Sequence, residues 1–156
     1  FYVFSDRNIN EVENNFIANK LLEPSYISLE SALRHYNLIP EIVFLTTSVT
    51  TRRTKLLKSP IGDFQYRKVK EKLFFGYRII NAGQIAYKIA DPEKALLDFL
   101  YLRSDIKNKN DIFELRINKE VYREVIDQNK LRRYLEAFSS RVLNKKIDKL
   151  TEILNQ

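Results

Sequence analysis

The chain has 156 residues, a formal net charge of +7 and no cysteine or methionine. Its hydrophobic fraction of 44%, with 12% aromatic residues, is typical of a globular chain and excludes a disordered one. The lack of cysteine excludes disulfides and thiolate metal sites, and the apolar runs are too short to span a bilayer. We therefore expect a cytoplasmic protein, and the abundance of Lys, Ile and Asn suggests a bacterial one.

The first part of the chain predicts a strand followed by two helices. Phe1–Phe4 reads as a strand that begins in its middle, so we expect that something upstream has been removed. Apolar residues at helical spacing predict a helix over 11–22. Ser28 is the expected N-cap of a helix over 29–36, which Asn37 ends in a left-handed conformation.

The middle of the chain predicts a meander of short antiparallel strands. A β-branched run over 42–50 is typical of a buried strand. Two hairpins follow, one joining 54–58 to 64–69 and the other joining 74–80 to 84–90.

The rest of the chain is predicted to be mainly helical. Asp91 as N-cap, Pro92 at the first position and Glu93 in the first turn predict the start of a central core helix. A polar loop is expected over 104–110. Three further helices are predicted over 119–128, 130–138 and 141–155.

These elements together predict one α+β domain over 1–156. Its sheet-and-helix core is expected over 1–103, and a helical C-terminal region over 111–156. The sheet is expected to be antiparallel or mixed, with about five strands and helices packed against it.

The positive charge is concentrated in one segment of the chain. From Thr46 to Arg78, nine basic residues accompany two acidic ones, whereas the remainder is neutral. Such a cluster attracts polyanions or acidic protein surfaces, although a solvated surface that only maintains solubility has the same composition. The residues expected to contact an acidic partner or a nucleic-acid backbone are Arg52, Arg53, Lys55, Arg67, Lys68 and Lys70. The threonines of 46–51 fit phosphate contacts and strand formation equally well.

Residues suited to catalysis are few. His35 is the single histidine, and at a helix end it is expected to have a capping or surface role. Asp63 with Gln65 loosely resembles a metal-dependent nuclease core, but the second carboxylate that Mg²⁺ needs is missing. We therefore expect no enzyme activity, no metal site and no cofactor. A degenerate nuclease or phosphotransfer enzyme is the less favoured alternative.

Three stretches of the sequence, taken in order, carry a family resemblance. The first comprises ANKL at 18–21, PSYISLESAL at 24–33 and LIPE at 38–41; the second comprises TSVTT at 47–51 with Pro60, Gly62, Phe64, Tyr66 and Arg67; the third comprises LFFGY at 73–77 and ADPEKALLD at 90–98. Together they resemble the AbiEi family of antitoxins, which are predicted transcriptional regulators of type IV toxin–antitoxin and phage-defence loci. The resemblance covers residues 18–102, and the later helices match the family only in character.

The resemblance implies a function based on binding. Members of the family usually carry an N-terminal winged helix-turn-helix that binds the operon's promoter. Their C-terminal domain is associated with neutralising a nucleotidyltransferase-like toxin. The resemblance implies that this chain is such a C-terminal domain, without the winged helix. Its implied partners are the cognate toxin and, through the full-length protein, DNA, with no membrane involved.

The mode of neutralisation stays open at this stage. Direct contact with the toxin, action on the toxin's target, and repression alone are all compatible with the sequence. A stand-alone basic nucleic-acid-binding module of a transcriptional regulator is the alternative function.

Overall fold

A computed structural model describes residues 11–41 and 44–156. Their helices are α1 (Glu11–Leu21), α2 (Leu29–His35), α3 (Pro92–Leu102), α4 (Lys109–Phe113), α5 (Lys119–Val125), α6 (Gln128–Phe138) and α7 (Arg141–Leu154), with a 3₁₀ turn at Glu71–Leu73. Their strands are β1 (Ser25–Ile27), β2 (Leu45–Thr50), β3 (Lys55–Ser59), β4 (Gly62–Lys68), β5 (Tyr77–Ala82) and β6 (Ile85–Ala90). The strand predicted at Phe1–Phe4 lies outside the described residues.

In the described part of the chain, the strands form one six-stranded mixed sheet in the order β3–β4–β2–β1–β6–β5. The predicted α+β class and mixed sheet are confirmed, with six strands instead of about five. Both predicted hairpins, β3–β4 and β5–β6, are present.

The prediction of an antiparallel meander is wrong. Strand β4 inserts between β2 and β3, so β2 and β4 run parallel, with β3 serving as the return connection. Strand β1 was not predicted from the sequence. It is too short to show a periodic pattern, but it is buried and pairs with β2 and β6. Helix α4 likewise begins inside the loop predicted over 104–110.

Helices cover both faces of the sheet, and the alternation of side chains along β4 shows how. The Tyr66 hydroxyl donates a hydrogen bond to the carbonyl of Ala18 in α1, at 2.6 Å. The next side chain, Arg67, points to the opposite face and donates to the carbonyl of Leu102 at the end of α3, at 2.9 Å. Helices α2 and α3 cover that face, and α6 and α7 pack against α3. Helix α3 is buried along most of its length, as predicted for the central core helix.

The ends of α2 and α3 lie at the predicted residues but are built differently from the prediction. Ser28 and Asp91 occupy the N-cap positions, yet neither side chain caps its helix, because both bind distant side chains instead. Pro92 at the first position of α3 and the left-handed Asn37, with φ 64°, are confirmed. Side-chain caps are found at the later helices α4 to α7, from Asn108, Asn118, Asp127 and Ser140.

Candidate partner-binding surface

Five of the six predicted contact residues lie together at one end of the sheet. They are Arg52, Arg53, Lys55, Lys68 and Lys70, and this set is termed the basic edge. The pairing of β2 with β4 places Thr50 opposite Lys68, and β3 begins nearby, with Lys55 opposite Tyr66. The Lys68 amide donates to the Thr54 hydroxyl at 3.1 Å, which ties the β2–β3 loop to the end of β4.

All five side chains of the basic edge are exposed. Within residues 11–41 and 44–156, none of them forms an ion pair with a carboxylate. Arg52 does donate one hydrogen bond, at 3.2 Å, to the backbone carbonyl of Glu23. Like charges gathered on one edge repel each other and create a local positive field. An acidic partner would relieve that repulsion.

Arg67 does not belong to the basic edge. It is next to Lys68 in the sequence, but the alternation along β4 sends its side chain to the face that α3 covers. There it lines a groove with the end of α3. Arg67 and Lys68 were predicted to act together because they are neighbours in sequence, but their side chains lie on opposite faces of the sheet.

The hydroxyls of Thr47 and Thr50 serve the sheet itself. Thr47 donates to the Ser28 carbonyl at 2.6 Å, and Thr50 donates to the Pro24 carbonyl at 2.8 Å. The same two oxygens accept hydrogen bonds from backbone amides. Of the two interpretations of the threonine run, the structural one applies at these positions.

A polar network lies inside the core, and sequence reasoning missed it. It is centred on Lys94 and Asp98, whose side chains have 0% exposure and whose Nζ and Oδ1 atoms lie 2.9 Å apart. Lys94 also donates to the Tyr26 hydroxyl and to the Leu73 carbonyl, both at 2.6 Å. Asp98 accepts from the hydroxyls of Tyr26 at 2.8 Å and Ser28 at 2.9 Å. The spacing of Lys94 and Asp98 by one helical turn within an apolar helix was the available signal.

Burial is the main electrostatic influence on this network. It lowers the pKa of Lys94 and raises the pKa of Asp98, while their mutual attraction and hydrogen bonds act in the opposite direction. The ring of Phe75 lies 4.6 Å from Nζ of Lys94, and the ring of Phe138 lies 5.3 Å from it. Because the three N–H donors of Lys94 are all used and the site is sealed, the network is part of the core.

Residues of the first and third resembling stretches meet at this network. Tyr26 and Ser28 come from the first stretch, and Leu73 comes from the third. Gly76 packs so closely that an added Cβ would lie 3.0 Å from Lys94 Cγ. Packing of the core therefore explains why these residues occur in the first and third stretches.

A second polar cluster joins the sheet to the C-terminal helices. The buried Asp91 carboxylate binds Arg78 Nε at 2.9 Å, the Tyr134 hydroxyl at 2.7 Å and Lys130 Nζ at 3.0 Å. Burial opposes its ionisation, but the hydrogen bonds outweigh burial and hold the pKa of Asp91 below its usual value. The neighbouring Glu93 accepts a hydrogen bond from the Asp127 amide at 2.7 Å, where α6 begins.

The residues considered for catalysis, His35 and Asp63, both make contacts that belong to the fold. His35 ends α2, and its Nδ1 pairs with the Glu11 carboxylate of α1. Asp63, near the start of β4, lies between Lys58 of β3 and Leu45 of β2. Among the described residues, no group of three or more His, Cys, Asp or Glu side chains could hold a metal ion. None of the helices described has the length and apolar character needed to cross a membrane.

No protein-family model matches the chain, and no curated protein matches it significantly. The function is therefore inferred from the chemistry of the surface and from the resemblance of the three stretches.

Proposed function

We propose that this chain is a binding domain whose basic edge contacts an acidic surface of a partner protein. More particularly, we propose that it is the C-terminal domain of an AbiEi-type antitoxin and regulator, acting in the bacterial cytoplasm. It counteracts a nucleotidyltransferase-like toxin by binding it, without catalysis. The observation that carries the proposal is the set of five exposed cations, none paired with a carboxylate of the described residues, at one end of the sheet. The resemblance supplies the identity of the partner.

The location of the charge favours a specific surface. The excess of positive charge lies within Thr46–Arg78 and the rest of the chain is neutral, so the field is local. Exposed complementary charges raise the rate of association and set the orientation of docking more than they raise the final affinity. A partner with an acidic patch would be guided to this end of the sheet.

The test is co-expression with the nucleotidyltransferase-like protein encoded beside the gene. The variant Arg52→Glu/Arg53→Glu reverses two charges of the basic edge. Arg132→Glu/Arg133→Glu is the matched control, because it reverses two consecutive exposed arginines on α6. We expect the first variant to lose rescue of growth and to weaken co-purification about tenfold or more, with the control close to wild type. Equal behaviour of the two variants would contradict the proposal.

The alternative is a nucleic-acid-binding module, since the same exposed cations would suit phosphate groups. Fluorescent duplex DNA from the gene's own promoter, titrated into this chain and into the full-length protein, separates the two. We expect only the full-length protein to bind. Binding by this chain alone that falls steeply between about 50 mM and about 200 mM salt would make the alternative the better function.

A further inference from the structure

A groove of about 560 Å³ lies on the face of the sheet that α2 and α3 cover. Its lining includes the apolar side chains of Leu29, Leu45, Phe99 and Leu102, together with Arg67. The groove is separate from the basic edge, although strand β4 contributes Gln65 and Arg67 to the groove and Lys68 to the basic edge.

Two exposed apolar side chains, Phe44 and Leu56, lie in or near the groove. Phe44, which lines it, is 85% exposed. Leu56 on β3 is 47% exposed and lies opposite Gln65, another lining residue, so its side chain is on the same face of the sheet. Large apolar groups gathered at one concave place on a surface mark a site of interaction.

Arg67 provides the charge that an occupant would meet. Of the charged side chains in the lining, Glu30 and Arg103 pair with each other at 3.5 Å, and Arg103 also binds Asp105. Arg67 donates one hydrogen bond to the Leu102 carbonyl and has no carboxylate partner in the described part of the protein. A guanidinium with unused N–H groups beside an apolar floor suits a carboxylate that accompanies an apolar side chain.

We propose that the groove binds an extended segment of a partner protein in which acidic residues alternate with large apolar ones. The apolar side chain fills the floor beside Phe44, and the carboxylate meets Arg67. Strand β3, whose Leu56 lies on the same face of the sheet as the groove, is an edge of the described sheet, and backbone groups at such an edge can pair with an extended segment. A protein segment fits better than a nucleic acid, because the floor is apolar and Arg67 is the one lining cation without a carboxylate partner in the described residues, whereas a nucleic acid presents a phosphate at every nucleotide. The inference rests on the proposed function only in that the partner is a protein.

The probe is a fluorescein-labelled, amidated hexapeptide that alternates aspartate with phenylalanine, and its control carries asparagine in place of aspartate. We expect anisotropy to show that the chain binds the acidic peptide more tightly than the control by about tenfold. Phe44→Ser should weaken binding of the acidic peptide by about tenfold. Because Phe44 is exposed, this variant keeps its fold. Ile79→Ser is the matched control, since Ile79 is 60% exposed on the opposite edge strand, β5, and should leave affinity unchanged.

Arg67→Gln tests the charge separately and should also weaken the acidic peptide by about tenfold, while its circular dichroism spectrum confirms folding. The inference is overturned if Phe44→Ser binds like wild type, or if both peptides bind equally. It is also overturned if a labelled single-stranded oligonucleotide, and not the peptide, binds in a manner sensitive to Phe44→Ser. Arg52→Glu/Arg53→Glu could lose binding of the toxin while Phe44→Ser and Arg67→Gln keep it. The proposed function would then stand, and the groove would be rejected as the toxin's binding site.

Discussion

Two carboxyl groups of one helix show how surroundings decide the behaviour of a single residue. Asp98 is sealed in the core, where burial raises its pKa even though Lys94 is beside it. Asp91 is also buried, but hydrogen bonds from Tyr134, Lys130 and Arg78 outweigh burial and lower its pKa. Each carboxylate has three donors, but two of those on Asp91 are cationic and only one of those on Asp98 is, and Asp98 is the more deeply buried, so donor charge and burial together decide the direction of each shift.

Removing one partner of the buried ion pair should be strongly destabilising. Lys94→Met leaves the Asp98 carboxylate unpaired in the core, and we expect it to lower the free energy of unfolding by about 3–5 kcal/mol. In Lys94→Met/Asp98→Asn the buried charge is gone, while the amide oxygen still accepts from Tyr26 and Ser28. The double variant should therefore be more stable than Lys94→Met in urea unfolding. Simple addition of the two single effects would argue against coupling between these residues.

The lowered pKa of Asp91 predicts a loss of stability in acid. A carboxyl whose folded pKa is depressed stabilises the protein above its unfolded pKa of about 3.9, and this contribution disappears as the pH falls through the folded pKa. The advantage of wild type over Asp91→Asn should therefore be largest near neutral pH and shrink below about pH 4. Denaturant unfolding between about pH 3 and about pH 7 measures it. Asp148→Asn, at an exposed site on α7, serves as control; a gap for Asp91→Asn that is independent of pH would contradict the assignment.

At the scale of elements, α3 connects the layers of the fold. Its middle reaches β1 through the Lys94–Asp98 network, and its first turn reaches α6 through Asp91. Its last turn receives Lys146 of α7, whose Nζ donates to the Leu100 carbonyl at 2.8 Å and the Arg103 carbonyl at 2.9 Å. A cation at this end also interacts favourably with the helix dipole. The sheet and the C-terminal helices are therefore held by one helix.

The approach to β5 depends on a glycine packed against α3 and α6. Gly76 has φ 79°, and an added Cβ would lie 3.0 Å from Lys94 Cγ and 3.0 Å from Tyr134 Cε2. We expect Gly76→Ala to lower the free energy of unfolding by about 2–4 kcal/mol, from backbone strain together with overpacking. Gly83→Ala is the control, because Gly83 has φ 68° but no atom within 4 Å of the added Cβ. Equal losses in denaturant unfolding would mean that packing around Lys94 contributes nothing.

At the scale of the whole molecule, the two proposed surfaces differ in their physics. The basic edge consists of exposed cations, whereas the groove combines an apolar floor with Arg67, a half-buried arginine without a carboxylate partner in the described residues. Exposed charges are screened over a Debye length of about 10 Å at 0.1 M salt, while burial of apolar surface is much less sensitive to moderate salt. The two contributions to partner binding are therefore separable.

Salt should weaken the basic-edge contribution selectively. Between about 50 mM and about 300 mM salt, we expect the rate of association with the proposed toxin partner to fall about tenfold for wild type. In Arg52→Glu/Arg53→Glu the decrease should be smaller, and in Arg132→Glu/Arg133→Glu it should equal that of wild type. Stopped-flow or surface-based kinetics give these rates. An identical salt dependence in all three proteins would mean that the basic edge does not contribute to the rate of association.

Sequence signals confined to a few neighbouring residues were sufficient to predict many of the helices and strands. The start of α3 at Pro92, the left-handed Asn37 and both hairpins were predicted because capping and turn chemistry act within a few residues. The concentration of positive charge between Thr46 and Arg78 was also evident without a structure.

Long-range packing decided the order of the strands and the partners of the buried polar side chains. The pairing of β2 with β4, which gathers the basic edge and turns Arg67 into the groove, follows from the insertion of β4 between two strands. Strand β1 forms only by pairing with strands that come later in the chain, and the Tyr26–Asp98 hydrogen bond joins residues 72 positions apart. Local propensity carries no information on such partners. Ser28 and Asp91 illustrate the consequence. Each lies where a helix begins, but a distant charged side chain, and not the helix, determines what its side chain binds.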